Sequence, residues 1–195
     1  MSVTNVSVIS GLSNMPNQYA TSSPVGWQTM SDQQIVFQPT QMIQVFADVE
    51  VSEVVVEANV LSPGSVSGAV LLYRYDSDND ELRLIETWGT VTFVTGISTV
   101  TLSSPTTLTS GTYFTAMVLN GGNLQLRDFI NQNYGQAYWW DASNVMSGSA
   151  GKINQLTYSP GYFIGTGQVP TTIPRADLTY SVSTNPIVAP HLIIG

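Results

Sequence analysis

The sequence predicts an all-β protein: a single antiparallel β-sandwich of two sheets, with an extended arm at each end. Between residues 42 and 126, short β-type runs alternate with turn signals about every 8–12 residues, a spacing typical of sandwiches. No segment shows helical periodicity beyond one turn, and a short helix is expected only at residues 127–133. Both ends are rich in proline and lack the strand rhythm. We therefore assign residues 1–41 and 159–195 to the arms and residues 42–158 to the sandwich core.

The first half of the core predicts two strands followed by a hairpin. Residues 42–51 alternate apolar and polar side chains, the period of two that indicates a half-buried strand. Residues 53–61 include three successive valines, whose stiff side chains favour extended structure. Residues 68–75 and 81–88 are two further strands around an acidic loop, and Gly89 is expected to end the second of them.

The second half predicts two short strands, a central strand and a returning strand. The short strands are residues 90–94 and 97–102. Residues 112–119 are apolar on both faces, which indicates a strand at the centre of a sheet. Residues 120–123 (Asn-Gly-Gly-Asn) form a turn, and residues 124–126 begin the return. The side chains expected in the core are Val45, Val55, Leu71, Leu84, Val100, Phe114 and Val118.

Composition narrows the classes of function. Charged residues make up 9% of the chain and the net charge is −8, so five basic residues cannot neutralise a nucleic-acid backbone. The absence of cysteine excludes disulfides, thiolate catalysis and cysteine-bound metals, and one histidine excludes a histidine-rich metal site. The first residues resemble neither a signal peptide nor an anchor, and no apolar run of about 18 residues spans a bilayer. We expect no nucleic-acid partner, no membrane association and no cofactor.

Two runs carry a resemblance to a known family. Residues 104–113 read SPTTLTSGTY, and residues 169–178 read VPTTIPRADL. Together with the order of elements over residues 42–126, they resemble the jelly-roll-like β-sandwich domain of tailed-bacteriophage virion proteins. The resemblance implies a structural virion protein of the capsid decoration (cement) or tail-fibre type, assembled in the host cytoplasm. Its implied partners are the major capsid protein or other virion subunits and further copies of itself, as a dimer or trimer.

The end of the C-terminal arm is strongly apolar, and we expect it to bind a neighbouring subunit. Multivalent contacts of this kind would let a decoration protein stabilise a shell. His191 is interpreted as a docked residue of this arm, because no Gly-x-Ser-x-Gly elbow occurs to support a catalytic role. The expected partner-binding residues are Ile187, Val188, His191, Leu192, Ile193 and Ile194.

An aromatic cluster supports an alternative function, a tail-fibre or tail-tip module that binds host surface sugars. The cluster consists of Tyr134, Tyr138, Trp139 and Trp140. Exposed aromatic faces can stack on sugars, but tyrosine and tryptophan also serve protein interfaces and cores. On a strand Trp139 and Trp140 would point to opposite faces, so one of them needs a cover other than the core.

The acidic residues predict neither a metal site nor an active site. Asp76, Asp78 and Asp80 are spaced like the first half of a calcium loop, but Glu81 and Thr87 stand where an EF-hand needs Gly and Glu. A solvated hairpin tip is the favoured interpretation, with a different oxygen cage for calcium left open.

Three glutamates near the start of the core also have two interpretations, a carboxylate cluster that acts on a sugar or a solvent-facing strand edge. Glu50, Glu53 and Glu57 are interpreted as a solvent-facing edge, because nothing places two carboxylates across a sugar. With one histidine and few acid–base pairs, we expect no enzyme activity.

Overall fold

A computed structural model of the chain shows an all-β, sandwich-like fold with two antiparallel sheets. It describes residues 26–30, 32, 34–37, 43–62, 65–128, 155–162, 164–181 and 191–194. The strands are β1 (Gly26–Met30), β2 (Ile35–Phe37), β3 (Ile43–Val45), β4 (Val49–Ser62), β5 (Val66–Asp76), β6 (Glu81–Phe93), β7 (Gly96–Leu108), β8 (Gly111–Leu119), β9 (Asn123–Asp128), β10 (Gln155–Tyr158), β11 (Thr172–Pro174), β12 (Leu178–Ser181) and β13 (His191–Ile194). Two single-turn 3₁₀ helices, Thr166–Gln168 and Arg175–Asp177, lie between the later strands.

The chain passes repeatedly from one sheet to the other. Sheet I has the order β1-β9-β4-β13, with β7 also paired to β4. Sheet II has the order β11-β6-β5-β8-β2-β10-β12, with β3 also paired to β8. Within the core, β5, β6 and β8 belong to sheet II, whereas β4, β7 and β9 belong to sheet I. The predicted turn at residues 120–123 is present, but it joins the two sheets rather than two neighbours in one sheet.

The two faces of sheet II contribute to two separate apolar cores. On β8, Tyr113, Met117 and Leu119 pack between the sheets, while Phe114 and Val118 pack on the opposite face of sheet II. All side chains from residue 113 to residue 119 are buried, which confirms the expectation of a central strand. A strand buried on both faces needs a cover on each side.

Sheet II curls so far that its two edges almost meet. The edge strands β11 and β12 are consecutive in the chain and are separated only by the 3₁₀ helix Arg175–Asp177. The second core fills the concave side of this curl, where Phe37, Leu71, Tyr73 and Ile173 are fully buried. Near-closure therefore protects an apolar face that a flat sheet would leave in water.

β-Bulges keep the long strands continuous where the sequence predicts breaks. Gly89 was expected to end its strand, but β6 runs through it to Phe93. Gly89 has a φ of 53°, in the left-handed region that glycine adopts without strain, and the β5–β6 register shifts beside it. A second shift places Leu84 and Glu86 opposite consecutive residues of β5, so that Ile85 is the extra residue.

The regions assigned to the arms also contain strands. β1 and β2 fall within residues 1–41, and β11, β12 and β13 fall within residues 159–195. These strands have only three to five residues, too few to show a period of two in the sequence. Of the helix expected at residues 127–133, the first two residues belong to β9 and the others lie outside the described residues.

Most of the expected core is buried. Val45, Leu71, Phe114 and Val118 are buried, and Leu84 and Val100 are partly buried against the two cores. The exception is Val55, which is also half-buried but packs against neither core.

The reason lies at Ser52. Val49 and Val51 face the core between the sheets, but after a register shift at Ser52 the inward residues are Val54 and Val56. Val55 consequently lies on the outer face of β4.

Replacing Leu71 by alanine tests the second core. Leu71 is 0% exposed, so Leu71→Ala should lower the free energy of unfolding by about 2–5 kcal/mol. Ile85→Ala is the matched control, because Ile85 is 43% exposed and its truncation should change stability by less than about 0.5 kcal/mol. Urea unfolding of both variants measures the difference, and equal losses would contradict the assignment.

Candidate functional site

The 14-residue strand β4 organises the part of sheet I that receives the C-terminus. Along one edge, β4 pairs with β7 continuously from Val49 to Ala58 except for the shift at Ser52. Along the other edge, two different strands pair with β4 one after the other. This second edge is the candidate functional site.

β13 pairs with the stretch of the β4 edge that β9 does not reach. β9 pairs with β4 from Ser62 to Ala58, and its last two residues pair only with β1. β13 then pairs with β4 from Val55, opposite His191, to Val51, opposite Ile194. We call the edge of β4 from Val51 to Val55 the C-terminal slot.

The slot needs a strand because β4 is a core strand at this point. Val51 and Val54 are 1% and 0% exposed. Unpaired backbone N–H and C=O groups beside buried side chains are costly, by about 1–3 kcal/mol for each group that loses its partner. Leu192 of β13 also packs against the core between the sheets. β13 therefore covers both the backbone edge and part of the apolar core.

The predicted partner-binding residues divide into two groups. His191, Leu192, Ile193 and Ile194 form β13 and pair with β4 of the same chain. Ile187 and Val188 lie outside the described residues. Contact of this segment with another subunit stays a prediction.

The predicted glycan-binding residues lie in a segment between β9 and β10. Tyr134, Tyr138, Trp139 and Trp140 all fall within residues 129–154, outside the described part of the chain.

The acidic loop is a hairpin tip whose carboxylates accept hydrogen bonds from the protein. Asp76 accepts from the backbone N–H of Asp78 at 3.0 Å and from the Asn79 side chain at 2.9 Å. Arg83 Nε lies 2.8 Å from Asp76 Oδ2 and 2.9 Å from Glu81 Oε1. The hydrogen bond from Asn79, with those from the loop backbone and the charge of Arg83, lowers the pKa of Asp76. The turn confirms the predicted hairpin.

Asp80 joins this hairpin tip to the turn that closes sheet II. Its carbonyl accepts from the Arg175 backbone N–H at 3.0 Å, and its carboxylate lies 3.0 Å from Arg175 Nε. The Tyr75 hydroxyl donates to the same carboxylate at 2.7 Å, and burial followed by this bond raises the pKa of Tyr75. Asp80 has a φ of 54°, uncommon for a residue other than glycine. The tip is therefore part of the closure, a role that the calcium-like spacing did not reveal.

The run at residues 104–113 locks the crossover from β7 to β8. The Tyr113 hydroxyl donates to the Thr109 carbonyl at 2.9 Å, much as in the tyrosine corner of other sandwiches. Arg74 lies over the Tyr113 ring, 5.8 Å from its centre, and donates to the Ser110 carbonyl at 2.8 Å. A Cβ on Gly111 would lie 2.7 Å from Arg74 Nε, so glycine makes room for the guanidinium.

The run at residues 169–178 closes the curl of sheet II. The hydroxyl of the buried Tyr73 donates to the Pro170 carbonyl at 2.9 Å. The Tyr73 and Phe37 rings pack edge to face, with their centres 5.3 Å apart. Burial raises the pKa of Tyr73, so its hydroxyl stays a donor. Ile173 and Leu178 then enter the second core. Both runs thus have structural roles at junctions of the fold.

Comparison with known proteins adds no family. No family model matches the chain, and no curated protein matches its sequence. Among the described residues, no helix is long and apolar enough to cross a membrane, and no group of three or more acidic or histidine side chains could hold a metal ion.

Removing the Asn79 side chain tests the electrostatics of the hairpin tip. The lowered pKa of Asp76 means that its ionised form stabilises the folded state above the ordinary aspartate pKa. This stabilisation is lost as the pH falls through the lowered pKa. Asn79→Ala should move the pKa of Asp76 up towards its ordinary value in an NMR titration of the carboxyl carbons. Ser77→Ala, in the same exposed turn, should leave it unchanged; an unmoved Asp76 in Asn79→Ala would contradict the assignment.

Deleting residues 191–195 tests the slot. The deletion removes the pairing partner of Val51–Val55, so amides on that edge should exchange with deuterium faster than in the full chain. Amides of β5 and β8 in sheet II serve as the internal control and should be unaffected. Unchanged exchange across Val51–Val55 would show that β13 does not protect the slot.

Proposed function

We propose that the chain is a non-enzymatic structural protein of a tailed-phage virion, a capsid decoration protein with a jelly-roll-like body. The observation that carries the proposal is the C-terminal strand seated at the edge of sheet I. A stable body with two apolar cores presents a terminal segment that docks by strand addition. Such a segment suits a protein that ties subunits together.

Both runs that resemble phage virion domains support the proposal through their positions. Residues 104–113 lock the crossover between the sheets, and residues 169–178 close sheet II. A resemblance located at such junctions concerns the way the body is built. It therefore favours a shared domain architecture over a convergent surface motif.

The energetics favour a lattice of repeated contacts. Ordering a terminal segment costs about 1–2 kcal/mol of backbone entropy per residue, which offsets much of what four paired residues gain. One contact is then weak, but many copies fixed on one shell act together. The low charge content is compatible with contacts through backbone and apolar groups to the major capsid protein or other virion subunits.

The location of the chain in an assembled particle decides the proposal. Mass spectrometry of purified particles should detect the chain in many copies, and gold-labelled antibody should mark the capsid in electron micrographs. Antibody that marks only the tail tip would contradict decoration and favour the glycan-binding alternative. Absence from intact particles would contradict both.

The alternative function depends on the aromatic cluster at residues 134–140. In this alternative, four aromatic side chains within seven residues form a stacking platform for sugars. On a glycan array, the chain should then retain a defined set of sugars, and Trp139→Ala or Trp140→Ala should abolish that retention. Trp88→Phe is a control, because the Trp88 ring is buried between the sheets and offers no exposed face on which a sugar can stack. Retention that survives both substitutions would contradict the cluster's role.

A further inference from the structure

We infer that the C-terminal slot is a strand-exchange site, which accepts β13 from a second copy of this chain. The inference rests on the proposed function and names the partner of the site. Every copy carries both the slot at Val51–Val55 and the strand His191–Ile194 that fits it. A strand held in its own chain therefore has an identical seat on each neighbour.

The first argument is that β13 is a separate piece of sheet I. Among the described residues, the strand that precedes it in the chain is β12, which belongs to sheet II. β13 pairs with β4 only beyond the point where β9 leaves that strand, after the pair of Leu126 with Ala58. Removing β13 therefore leaves the β4–β7 and β4–β9 pairings intact.

The second argument is that the connection is long enough to reach a neighbour. Nine residues, 182–190, separate Ser181 from His191. At about 3.3–3.6 Å per residue, ten steps can span about 33–36 Å, comparable to the roughly 30 Å diameter of a small domain. The connection contains Pro186 and Pro190, each of which lacks a backbone N–H and has a restricted φ.

The third argument is energetic. An exchanged β13 makes the same pairings with β4 and the same Leu192 contact with the core as it makes in its own chain. The two arrangements have the same contacts and differ only in which chain β13 belongs to and in how they depend on protein concentration. Exchange is therefore a low-cost route to oligomers. High local concentration on a repeated surface shifts the balance towards exchange.

Cysteine pairs can test the exchange because the chain contains no cysteine. Val55 pairs with His191 of β13 on one side and with Thr99 of β7 on the other. Paired residues on adjacent strands have Cα atoms about 4.5–5.5 Å apart, within the range for disulfides. We would mix chains carrying only Val55→Cys with tagged chains carrying only His191→Cys, and oxidise them mildly after equilibration.

The expected result is a disulfide-linked heterodimer, in several-fold excess over a control mixture of Val55→Cys with tagged Thr99→Cys. The control has the same acceptor cysteine, but its donor lies on β7 and does not exchange. Equal yields in the two mixtures would mean random collision and would overturn the inference. So would a double variant Val55→Cys/His191→Cys that closes within one chain while the mixture gives no heterodimer.

A second register pair keeps the test decisive if the first variants fold poorly. Glu53 pairs with Ile193 of β13 and with Thr101 of β7, so the same comparison applies one position along the slot. The experiment uses purified chains without particles. If the chain is found on the capsid but does not exchange β13, the inference is overturned and the virion proposal stands. If the chain exchanges β13 but is absent from particles, the virion proposal alone is overturned.

Discussion

The burial of both faces of sheet II is the constraint on which the rest of the structure depends. Alternate residues of β5 and β8 enter two different cores, so neither face of these strands can meet water. Sheet I covers one face. The other is covered by the curl of sheet II itself, which brings β11 and β12 to its two edges and Ile164 into its interior. Residues 164–181, which include β11 and β12, are therefore needed to cover the second core.

This constraint explains why polar contacts hold residues 169–178, the run that closes the curl of sheet II. Tyr73 holds Pro170, and Asp80 holds Arg175 through both its backbone and its side chain. Each contact fixes the position of a short strand that has little pairing of its own. Surface ion pairs are individually weak, but here the ion pair between Asp80 and Arg175 acts together with a backbone hydrogen bond between the same two residues. The acidic loop is thus best understood as part of a closure.

The C-terminal strand has a different relation to the fold. β11 and β12 complete a core, whereas β13 fills a backbone row that β9 leaves on β4. Leu192 of β13 packs against the core between the sheets. A β13 from a second copy would bring the same leucine to the same place, so the strand can change its chain of origin without changing the core. The proposed function and the proposed exchange both use this property.

The sequence by itself determined the local elements of the core. Period-two alternation, three consecutive valines and glycine- or aspartate-rich turns indicated β4, the β5–β6 hairpin and the central β8, because these signals depend on neighbouring residues alone. The apolar C-terminus was also visible, and it led to the candidate site. The sequence did not show which chain or which strand that segment pairs with, since every exposed strand edge offers the same backbone groups.

Only the tertiary structure decided the sheet to which each strand belongs and the face that each side chain takes. The turn at residues 120–123 would suit a hairpin equally well, but β9 pairs with β4 and β1 because sheet I offers the free edges. A register shift at Ser52 turned Val55 outward, and a glycine in the left-handed region carried β6 past its predicted end. The three- to five-residue strands of the predicted arms are too short to carry a pattern. Such strands exist because long-range pairing and burial stabilise them, and those contacts join residues far apart in the chain.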